Sequence, residues 1–335
     1  MRILLVAANS SYTRQLKRGF EKNGAEVFYL EERSNFLVPT FLRENVFLWK
    51  TLRKISRLRK LNNKIFGKNL IKTVLNFRPD LVFFSKAMIV KLDALIELRR
   101  LGFRTANWIT DNIFHPRYKK WFIENHKYYA YLFVFDSGAK ELVKNDPESK
   151  NVIYMPMAVE PEAYQLKKLT SEDRKKYETN VCFVGALYPE RERALNAVKD
   201  LGLKIYGWKG WEKSSLARYY HGPLNVPEMV KLYNCAKICI NMNLEPACNG
   251  VNWKTFEIPA AGGFQLTDYR KDLDGLFKIG EELDVFRSPE ELRKKALFYL
   301  QNDELRRKIA QKGRERVLRN HTFEKRIKDI LNTIR

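Results

Sequence analysis

Short apolar runs recur along the first half of the chain, and amphipathic stretches separate them. Continuous apolar runs are typical of strands that are buried on both faces of a parallel sheet. The predicted strands cover residues 1–7, 25–30, 80–85, 103–109, 129–135 and 152–157, and the predicted helices 12–23 and 90–101. Gly24 and Gly102 follow these two helices, as is common at helix ends. Strands alternating with helices predict βαβ units and a parallel sheet covered by helices on both faces.

The same alternation starts again in the second half of the chain. Strands are predicted at 180–185, 203–208, 237–242 and 263–268, helices at 189–201, 227–235 and 252–261, and a helical tail over about the last 50 residues. Two successive α/β units predict two facing Rossmann-like domains, with a ligand at the carboxyl ends of the strands. A chain of 335 residues is also long enough for two domains.

The predicted boundaries follow from where the alternation pauses. The first domain covers residues 1–158, and a proline-containing polar linker covers 159–171. The second domain covers residues 172–320, and a helix over 321–335 is expected to cross back to the first domain.

Segment 41–73 interrupts the first domain as a basic helical insertion. It contains ten lysines and arginines and one glutamate, and its apolar residues recur at helical spacing. Two interpretations are open. Either the helix packs on the sheet with a solvated basic face, or it contacts an anionic membrane or an anionic acceptor.

The net charge and the cysteine content indicate which partners and which cellular compartment to expect. A net charge of +23 attracts anionic partners such as phosphorylated ligands, membranes or nucleic acid. The four cysteines lack the spacing of a zinc site and are expected to be reduced. No apolar run reaches the roughly 20 residues that a membrane-spanning helix needs. We therefore expect a cytoplasmic protein, and the second interpretation of 41–73 would add peripheral contact at the inner face of a membrane.

The segment 250–269 carries the clearest chemical pattern, because a glycine turn leads into a helix there. Asn252 is placed as the N-cap or in the first turn, where free N–H groups and the helix dipole favour a phosphate. Lys254 adds a cation, and the Glu257 carboxylate can accept hydrogen bonds from ribose hydroxyls. An ordinary capped helix would show the same spacing, so both interpretations stay open.

Two further places carry candidate chemistry. Arg191 and Arg193 stand at the start of a helix, where a cation would stabilise a departing diphosphate. Asp111 ends a strand, so it either orients and deprotonates an acceptor hydroxyl or caps the next helix. The loop after the first strand lacks G-x-G-x-x-G, and the chain lacks a P-loop motif, which argues against a dehydrogenase and a P-loop NTPase.

Several motifs resemble the CgeB-like, spore-maturation type of glycosyltransferase, a group with the GT-B architecture that is related to family-4 glycosyltransferases. They are GVNWKTFEIPAAGGFQLTDY (250–269), VGALYPERERAL (184–195), YHGPL (220–224) and the tail 299–327. The resemblance runs through most of 180–330 and is thinner in the first half. It implies an α/β GT-B fold and a retaining transferase.

The resemblance also implies roles for individual residues. Glu257 falls on the second glutamate of a paired motif and would hold the ribose, whereas Asn249 stands where the first glutamate is expected. Arg191 falls on the cation that neutralises the diphosphate, and Gly185 on the glycine of the adjacent turn. Lys254 falls where the group often has an arginine. The donor-binding segment would also include Gly250, Val251 and Asn252.

Together these observations predict a glycosyltransferase that moves a sugar from a UDP- or GDP-sugar to a glycan, a lipid-linked glycan or a protein. Asp111, Arg191 and Lys254 are its candidate catalytic residues. No metal and no cofactor beyond the nucleotide-sugar co-substrate is predicted. Three alternatives remain: a nucleotide-sugar epimerase of the same fold, a basic nucleic-acid-binding protein, and a degenerate domain that binds without catalysis.

Overall fold

The chain forms two compact units. The computed structural model describes residues 1–32, 55–86, 90–166, 168–208, 210–243 and 248–334. One unit consists of residues 1–155 and 327–335, and the other of residues 156–326. No helix in these described ranges is both long enough and apolar enough to cross a membrane.

The described part of the first unit contains a six-stranded parallel sheet in the order β2-β1-β3-β4-β5-β6. The strands are β1 (Arg2–Ala7), β2 (Glu26–Glu31), β3 (Leu81–Ser85), β4 (Thr105–Ile109), β5 (Tyr131–Val134) and β6 (Val152–Tyr154). The helices are α1 (Ser11–Lys22), α2 (Ser56–Phe77), α3 (Leu92–Arg100) and α4 (Pro116–Asn125). In the register, Ile3 lies opposite Val27 on one side and Leu81 on the other.

Helix α1 shows why these elements form where they do. Ser10 caps the helix, because its hydroxyl oxygen accepts the Thr13 N–H at 3.1 Å. Phe20 is buried and meets Phe83 of β3 edge to face, with ring centroids 4.9 Å apart. Gly24 follows with a φ of +79°, a conformation that ends the helix at little cost to glycine.

Helix α2 is the described part of the basic segment 41–73; residues 41–54 lie outside the described residues. Phe66, Leu70 and Val74 are buried against the sheet. Lys60, Lys64, Lys68 and Lys72 are exposed on the other side of the helix. The helix therefore packs on the sheet with a solvated basic face, which is the first of the two arrangements predicted for this segment.

The second unit has a five-stranded parallel sheet in the order β11-β10-β9-β7-β8. The strands are β7 (Thr179–Val184), β8 (Leu203–Tyr206), β9 (Ala236–Asn241), β10 (Gln265–Asp268) and β11 (Asp284–Phe286). Its helices are α5 (Ser171–Tyr177), α6 (Pro189–Asn196), α7 (Val226–Cys235), α8 (Lys254–Ala260), α9 (Leu273–Leu276), α10 (Pro289–Gln301) and α11 (Asp303–Asn320). The short strand β11 was not predicted. The predicted helix 189–201 is interrupted, because a separate 3-10 turn forms Lys199–Leu201.

The last helix, α12 (Phe323–Ile334), carries the chain from the second unit to the first. At its end the Ile334 carbonyl accepts hydrogen bonds from the Arg104 guanidinium and, at 3.2 Å, from the Tyr131 hydroxyl. Ile327, Ile330 and Ile334 are buried. The end of the chain is thus held in the first unit by apolar burial and by two side-chain donors.

Candidate functional site

The sheet of the second unit has a topological switch point between β7 and β9. From β7 the chain first adds β8 on one side and then β9 on the other. In open parallel sheets, ligands bind outside the carboxyl ends of the strands at such a point. The segments that follow β7 and β9 contain Gly185, Arg191 and the 249–257 segment, so the sequence-predicted donor residues come together at this edge.

The turn after β7 is built around two glycines in close contact. The Gly185 N–H donates to the Tyr206 carbonyl at 2.8 Å, and the Trp211 indole donates to the Gly185 carbonyl at 2.9 Å. A Cβ on Gly185 would lie 2.8 Å from the Phe183 ring. A Cβ on Gly207, whose φ is +146°, would lie 2.2 Å from the Gly185 carbonyl oxygen. Neither position has room for a side chain, so the backbone itself forms the surface here.

Arg191 joins the ends of the two switch-point strands. Its guanidinium donates to the Ala186 carbonyl at 3.0 Å after β7 and to the Met242 carbonyl at 2.8 Å after β9. The side chain is buried, between the rings of Phe183 and Tyr188. Burial lowers its pKa, although an arginine still remains charged. The structure thus places a fixed positive charge beside the Gly185 turn.

A network of asparagines holds the donor segment against the end of β9. The Asn252 N–H donates to Asn243 Oδ1 at 2.7 Å, and its side-chain amide donates to Asn241 Oδ1 at 3.0 Å. Asn241 in turn donates to the Thr255 hydroxyl at 3.0 Å. The prediction that Asn252 caps the helix is wrong, because α8 begins at Lys254 and the Asn252 amide is engaged by β9.

Asp268 extends this network at the end of β10. Its Oδ1 accepts both the backbone and the side-chain N–H of Asn243, at 2.8 and 2.9 Å, and its Oδ2 accepts Arg270 Nε at 3.2 Å. Burial raises the pKa of Asp268, and the Arg270 charge opposes that shift. Asn241 and Asn243 were missed in the sequence because the end of β9 carries no recognisable motif. Asp268 was missed although it lies within the 250–269 motif, because its partners Asn243 and Arg270 meet it only in the folded chain.

A cleft of about 400 Å³ opens at the carboxyl ends of β9, β10 and β11. Three arginines line it: Arg193 of α6, Arg270 after β10 and Arg287 after β11. The Arg287 guanidinium lies 3.6 Å from the centre of the Tyr269 ring. Arg193 is exposed, so its guanidinium is accessible to an anion in the cleft. The cleft therefore offers further cations besides Arg191: Arg270 is paired with Asp268, Arg287 is stacked on Tyr269, and Arg193 is exposed.

Lys254 and Glu257 lie one helical turn apart on α8, and both are partly exposed. Tyr164 is buried and its hydroxyl is hydrogen-bonded to Glu257, whose charge adds to burial in raising the tyrosine pKa. Glu257 also raises the pKa of the buried Tyr233. Tyr164 lies in the predicted linker 159–171, a polar stretch in which nothing marked it as a site residue.

The start of the donor segment is less enclosed. Asn249 is partly exposed, and its carbonyl accepts the Asp272 N–H at 3.2 Å. Gly250 and Val251 are buried. Asn249 is therefore at the surface of the second unit, whereas the next two residues anchor the loop to its core.

In the first unit, Asp111 follows β4 and forms an ion pair with Lys86, which follows β3, with Nζ and Oδ1 2.9 Å apart. Lys86 has a φ of +64°, a strained conformation for a non-glycine residue. The interpretation of Asp111 as a helix cap is wrong, because α4 begins at Pro116 and it is Asn112 Oδ1 that accepts the Phe114 N–H. The Asp111 charge also contributes to the raised pKa of the buried Tyr12 hydroxyl.

Comparisons with known proteins agree with this geometry. Residues 191–332, somewhat less than half of the chain, match the sequence family described as Glycosyl transferase-like. Sucrose-phosphate synthase from Thermosynechococcus elongatus aligns over 100% of this chain and 99% of its own, with a TM-score of 0.70 and 12% identity. The chain has the GT-B glycosyltransferase fold.

Two more solved structures have this fold in common with the chain. Anabaena Alr3699/HepE, solved in complex with UDP, covers 100% of this chain and 99% of its own, with a TM-score of 0.67 and 11% identity. A Listeria monocytogenes protein assigned as a UDP-N-acetylglucosamine 2-epimerase covers 100% of this chain and 96% of its own, with a TM-score of 0.60 and 11% identity. No curated protein sequence matches the chain.

The predicted GT-B architecture is therefore confirmed, and the Glycosyl transferase-like domain confirms the prediction of a glycosyltransferase. The closer likeness to the CgeB-like group stays a prediction.

Proposed function

We propose that this glycosyltransferase uses a nucleoside-diphosphate sugar as donor, with retention of anomeric configuration and without a metal. The observation that carries the proposal is the Arg191 bridge across the switch point, which fixes a cation beside the side-chain-free Gly185 turn. A diphosphate is the ligand chemistry that such a backbone turn and buried cation suit. HepE, which has the same fold, was solved with UDP and with UDP-glucose, which supports a uridine donor.

The proposed chemistry is charge stabilisation of the departing diphosphate. As the bond between the sugar and the diphosphate breaks, negative charge builds on the leaving oxygen. Arg191 is held in place by two carbonyls and needs no reorganisation to stabilise that charge. Lys254 and the cleft arginines add further cations, and Glu257, oriented by Tyr164, accepts hydrogen bonds from the ribose.

Asp111 takes the acceptor side of the proposal. Its carboxylate is partly exposed and lies at the carboxyl end of β4, where an acceptor hydroxyl can reach it. Lys86, whose Nζ lies 2.9 Å from Asp111 Oδ1, orients the carboxylate. The acceptor is a glycan, a lipid-linked glycan or a protein, and contact of segment 41–73 with an anionic membrane would favour the second.

The test is a binding screen of the purified protein against UDP, GDP, ADP, CMP, NAD and a short single-stranded oligonucleotide, with thermal stability as the readout. We expect one nucleoside diphosphate to raise the melting temperature of the wild type. Glu257→Ala removes the ribose contact and should lose most of that response, whereas Glu324→Ala on α12 serves as a matched surface control. Stabilisation by none of the nucleotides would overturn the proposal.

A second assay separates the transferase from an epimerase, which the Listeria neighbour makes a specific alternative. The nucleotide sugar that binds is incubated with the protein in the absence and presence of candidate acceptors. Release of the nucleoside diphosphate only with an acceptor supports transfer. Interconversion of nucleotide sugars without an acceptor would establish the epimerase, and stabilisation by a single-stranded oligonucleotide alone would favour a nucleic-acid-binding protein.

A further inference from the structure

A groove of about 650 Å³ runs between α2 and α3 in the first unit. Its floor includes the small residues Gly67 and Ala94, and lysines stand along its rim: Lys60, Lys64 and Lys68 on α2, and Lys91 just before α3. The groove is separate from the donor cleft, which belongs to the second unit. Neither the nucleotide nor the reacting sugar in the proposed function uses it.

The lysines of the rim form an unbalanced positive surface. Lys60, Lys64 and Lys68 follow each other at intervals of four residues, so they share one face of α2. In the described part of the chain none of the four rim lysines makes an ion pair. Two acidic residues also line the groove, Asp93 and Glu97, against the four lysines, and Glu97 is already held by Arg100 through contacts of 2.7 and 2.8 Å. Repulsion among such lysines is relieved when an anion binds between them.

The floor of the groove is apolar because the two helices approach closely. A Cβ placed on Gly67 would lie 3.6 Å from the Ala94 Cβ, an ordinary contact distance. Glycine at this helical position costs stability relative to alanine, by about 1 kcal/mol, although an alanine Cβ would fit there without a clash. Ile71 continues the apolar surface along α2. An apolar floor beneath a cationic rim suits a ligand with an apolar chain and an anionic end.

The topology places this groove toward the acceptor edge of the first unit. Helix α3 follows β3, so Lys91 stands near the carboxyl ends of the strands, on the same edge as Asp111. Helix α2 ends shortly before β3 begins, so its first half, with Lys60 and Lys64, points toward that same edge. The lysines that an anionic group would contact are thus on the side from which an acceptor would reach Asp111.

We propose that the groove binds the phosphate-bearing end of a lipid, with the phosphate between Lys60, Lys64 and Lys91 and the first part of the apolar chain over Gly67. The proposal rests on the proposed function and assigns its acceptor class: a sugar acceptor carried on a lipid phosphate or diphosphate. The groove selects the carrier, and the acceptor hydroxyl itself reacts at the Asp111 edge.

The binding test uses dodecyl phosphate below its micelle concentration, titrated into the full-length protein by calorimetry. Inorganic phosphate and dodecyl maltoside are the two comparison probes, because one lacks the chain and the other the charge. We expect dodecyl phosphate to bind at least about tenfold more tightly than either, since both the chain and the charge contribute. If inorganic phosphate bound as tightly as dodecyl phosphate, the groove would recognise only the anion. If dodecyl maltoside bound as tightly, the groove would recognise only the apolar chain. Either result would overturn the proposal.

Variants locate the ligand on the protein. The double variant Lys60→Gln/Lys64→Gln should lower the affinity for dodecyl phosphate about tenfold or more. Lys72→Gln, on the same helix but outside the groove, should change that affinity by less than about twofold. Gly67→Leu keeps every charge but fills the floor and should abolish binding. Equal weakening by Lys72→Gln would show a diffuse field instead of a site. Melting curves show whether each variant folds. If Gly67→Leu does not fold, Gly67→Ala is tested in its place.

Nucleotide binding measured on the same samples separates this proposal from the proposed function. Glu257→Ala should no longer bind the nucleoside diphosphate but should bind dodecyl phosphate as the wild type does, because the two sites lie in different units. If the wild type bound dodecyl phosphate but none of the nucleotides, the lipid site would stand and the donor assignment would be overturned. Binding of a nucleotide without dodecyl phosphate would retain the transferase and overturn the lipid acceptor.

Discussion

Arg191 donates a hydrogen bond to the main-chain carbonyl of Met242 at 2.8 Å, and this contact joins the helix after β7 to the end of β9. The same guanidinium also holds the Ala186 carbonyl at 3.0 Å. One buried side chain therefore links the two segments that follow these neighbouring strands and border the proposed diphosphate site. Its structural role and its proposed electrostatic role cannot be removed separately by one substitution.

Arg191→Ala should destabilise the second unit and abolish nucleotide binding. It leaves the half-buried Ala186 carbonyl without its side-chain donor, whereas the Met242 carbonyl keeps the Asn252 side-chain donor at 3.1 Å, so the cost is about 1–3 kcal/mol of unfolding free energy. Arg191→Lys retains the charge and one donor, so we expect a smaller loss of stability and weak residual binding. Urea unfolding and UDP titration measure both effects, and an alanine variant that binds UDP like the wild type would exclude Arg191 from the site.

Gly207→Ala should be among the most destabilising glycine substitutions in the described chain. The new Cβ would lie 2.2 Å from the Gly185 carbonyl oxygen, which belongs to the backbone and cannot move aside. Gly24→Ala is the matched control, because Gly24 also has a positive φ but has no atom within 4 Å of the new Cβ. The control gives the cost of a left-handed backbone without a clash, about 1–2 kcal/mol. Equal melting temperatures for the two variants would contradict the close approach of the two glycine turns.

Acidification below pH 6.5 should destabilise the protein through His321. This histidine is buried, donates from Nε2 to the Leu276 carbonyl at 3.1 Å and accepts from Arg326 at Nδ1, and burial lowers its pKa to about 3. The unfolded chain takes up a proton near pH 6.5, whereas the folded chain does not. Its contribution to stability is therefore complete above pH 6.5 and is lost progressively toward pH 3, by about 2 kcal/mol at pH 5.

The check is chemical unfolding at several values of pH for the wild type and His321→Gln. The variant should be less stable at neutral pH but should show a shallower decline between pH 7 and 5. His221, whose pKa burial also lowers, is present in both proteins, so the difference between the two curves reports on His321. Parallel curves would mean that His321 does not stay neutral in the folded protein.

Asp111→Asn should slow transfer without unfolding the first unit. The Lys86–Asp111 pair is partly exposed, so its loss should cost less than about 1 kcal/mol. Loss of a general base or of its orienting charge lowers kcat by about 10²–10⁴. Nucleotide affinity should not change, because the donor residues belong to the other unit. Steady-state kinetics with a working acceptor make the measurement, and an unchanged kcat would remove Asp111 from the reaction.

Tyr164→Phe should weaken nucleotide binding less than Glu257→Ala does. Tyr164 orients the Glu257 carboxylate through its hydroxyl and does not itself face the ribose in the proposed arrangement. We expect a loss of about 1 kcal/mol of binding free energy, about fivefold in affinity. Comparing UDP with UMP adds a control, since the loss should be the same for both if it concerns the ribose. An effect as large as that of Glu257→Ala would place Tyr164 in direct contact with the ligand.

Much of the fold was predictable because parallel strands that are buried on both faces read as continuous apolar runs. The strands β1, β3 and β7 fall within a residue of their predicted positions, since burial leaves these runs uniformly apolar. Strand β11 was missed because three residues are too short for any periodicity. The helix after β7 was predicted too long, because helical spacing does not distinguish a continued helix from a 3-10 turn.

Some residues of the candidate site could likewise be predicted from the sequence, and others could not. Arg191, Lys254 and Glu257 could be proposed from the sequence because cations and a carboxylate near helix starts suit phosphate and ribose chemistry, and Gly185 was proposed through the family resemblance. Tyr164, Asn243 and Asp268 were not, because their importance comes from neighbours distant in sequence. The Asn252 side chain shows the limit most clearly: its position before a helix suggested a cap, yet its amide is bound by the end of β9.

By itself the sequence determined which segments are buried strands, where helices lie between them, and which residue types are available for phosphate chemistry, since these depend on local pattern and composition. Only the tertiary structure decided which strands are neighbours, and so which strand ends meet. That choice brings Arg191 to Met242, Lys86 to Asp111 and the lysines of α2 to Ala94 of α3. Partners far apart in the chain are selected by packing and by the need to satisfy buried polar groups, and neither leaves a periodic signal in the sequence.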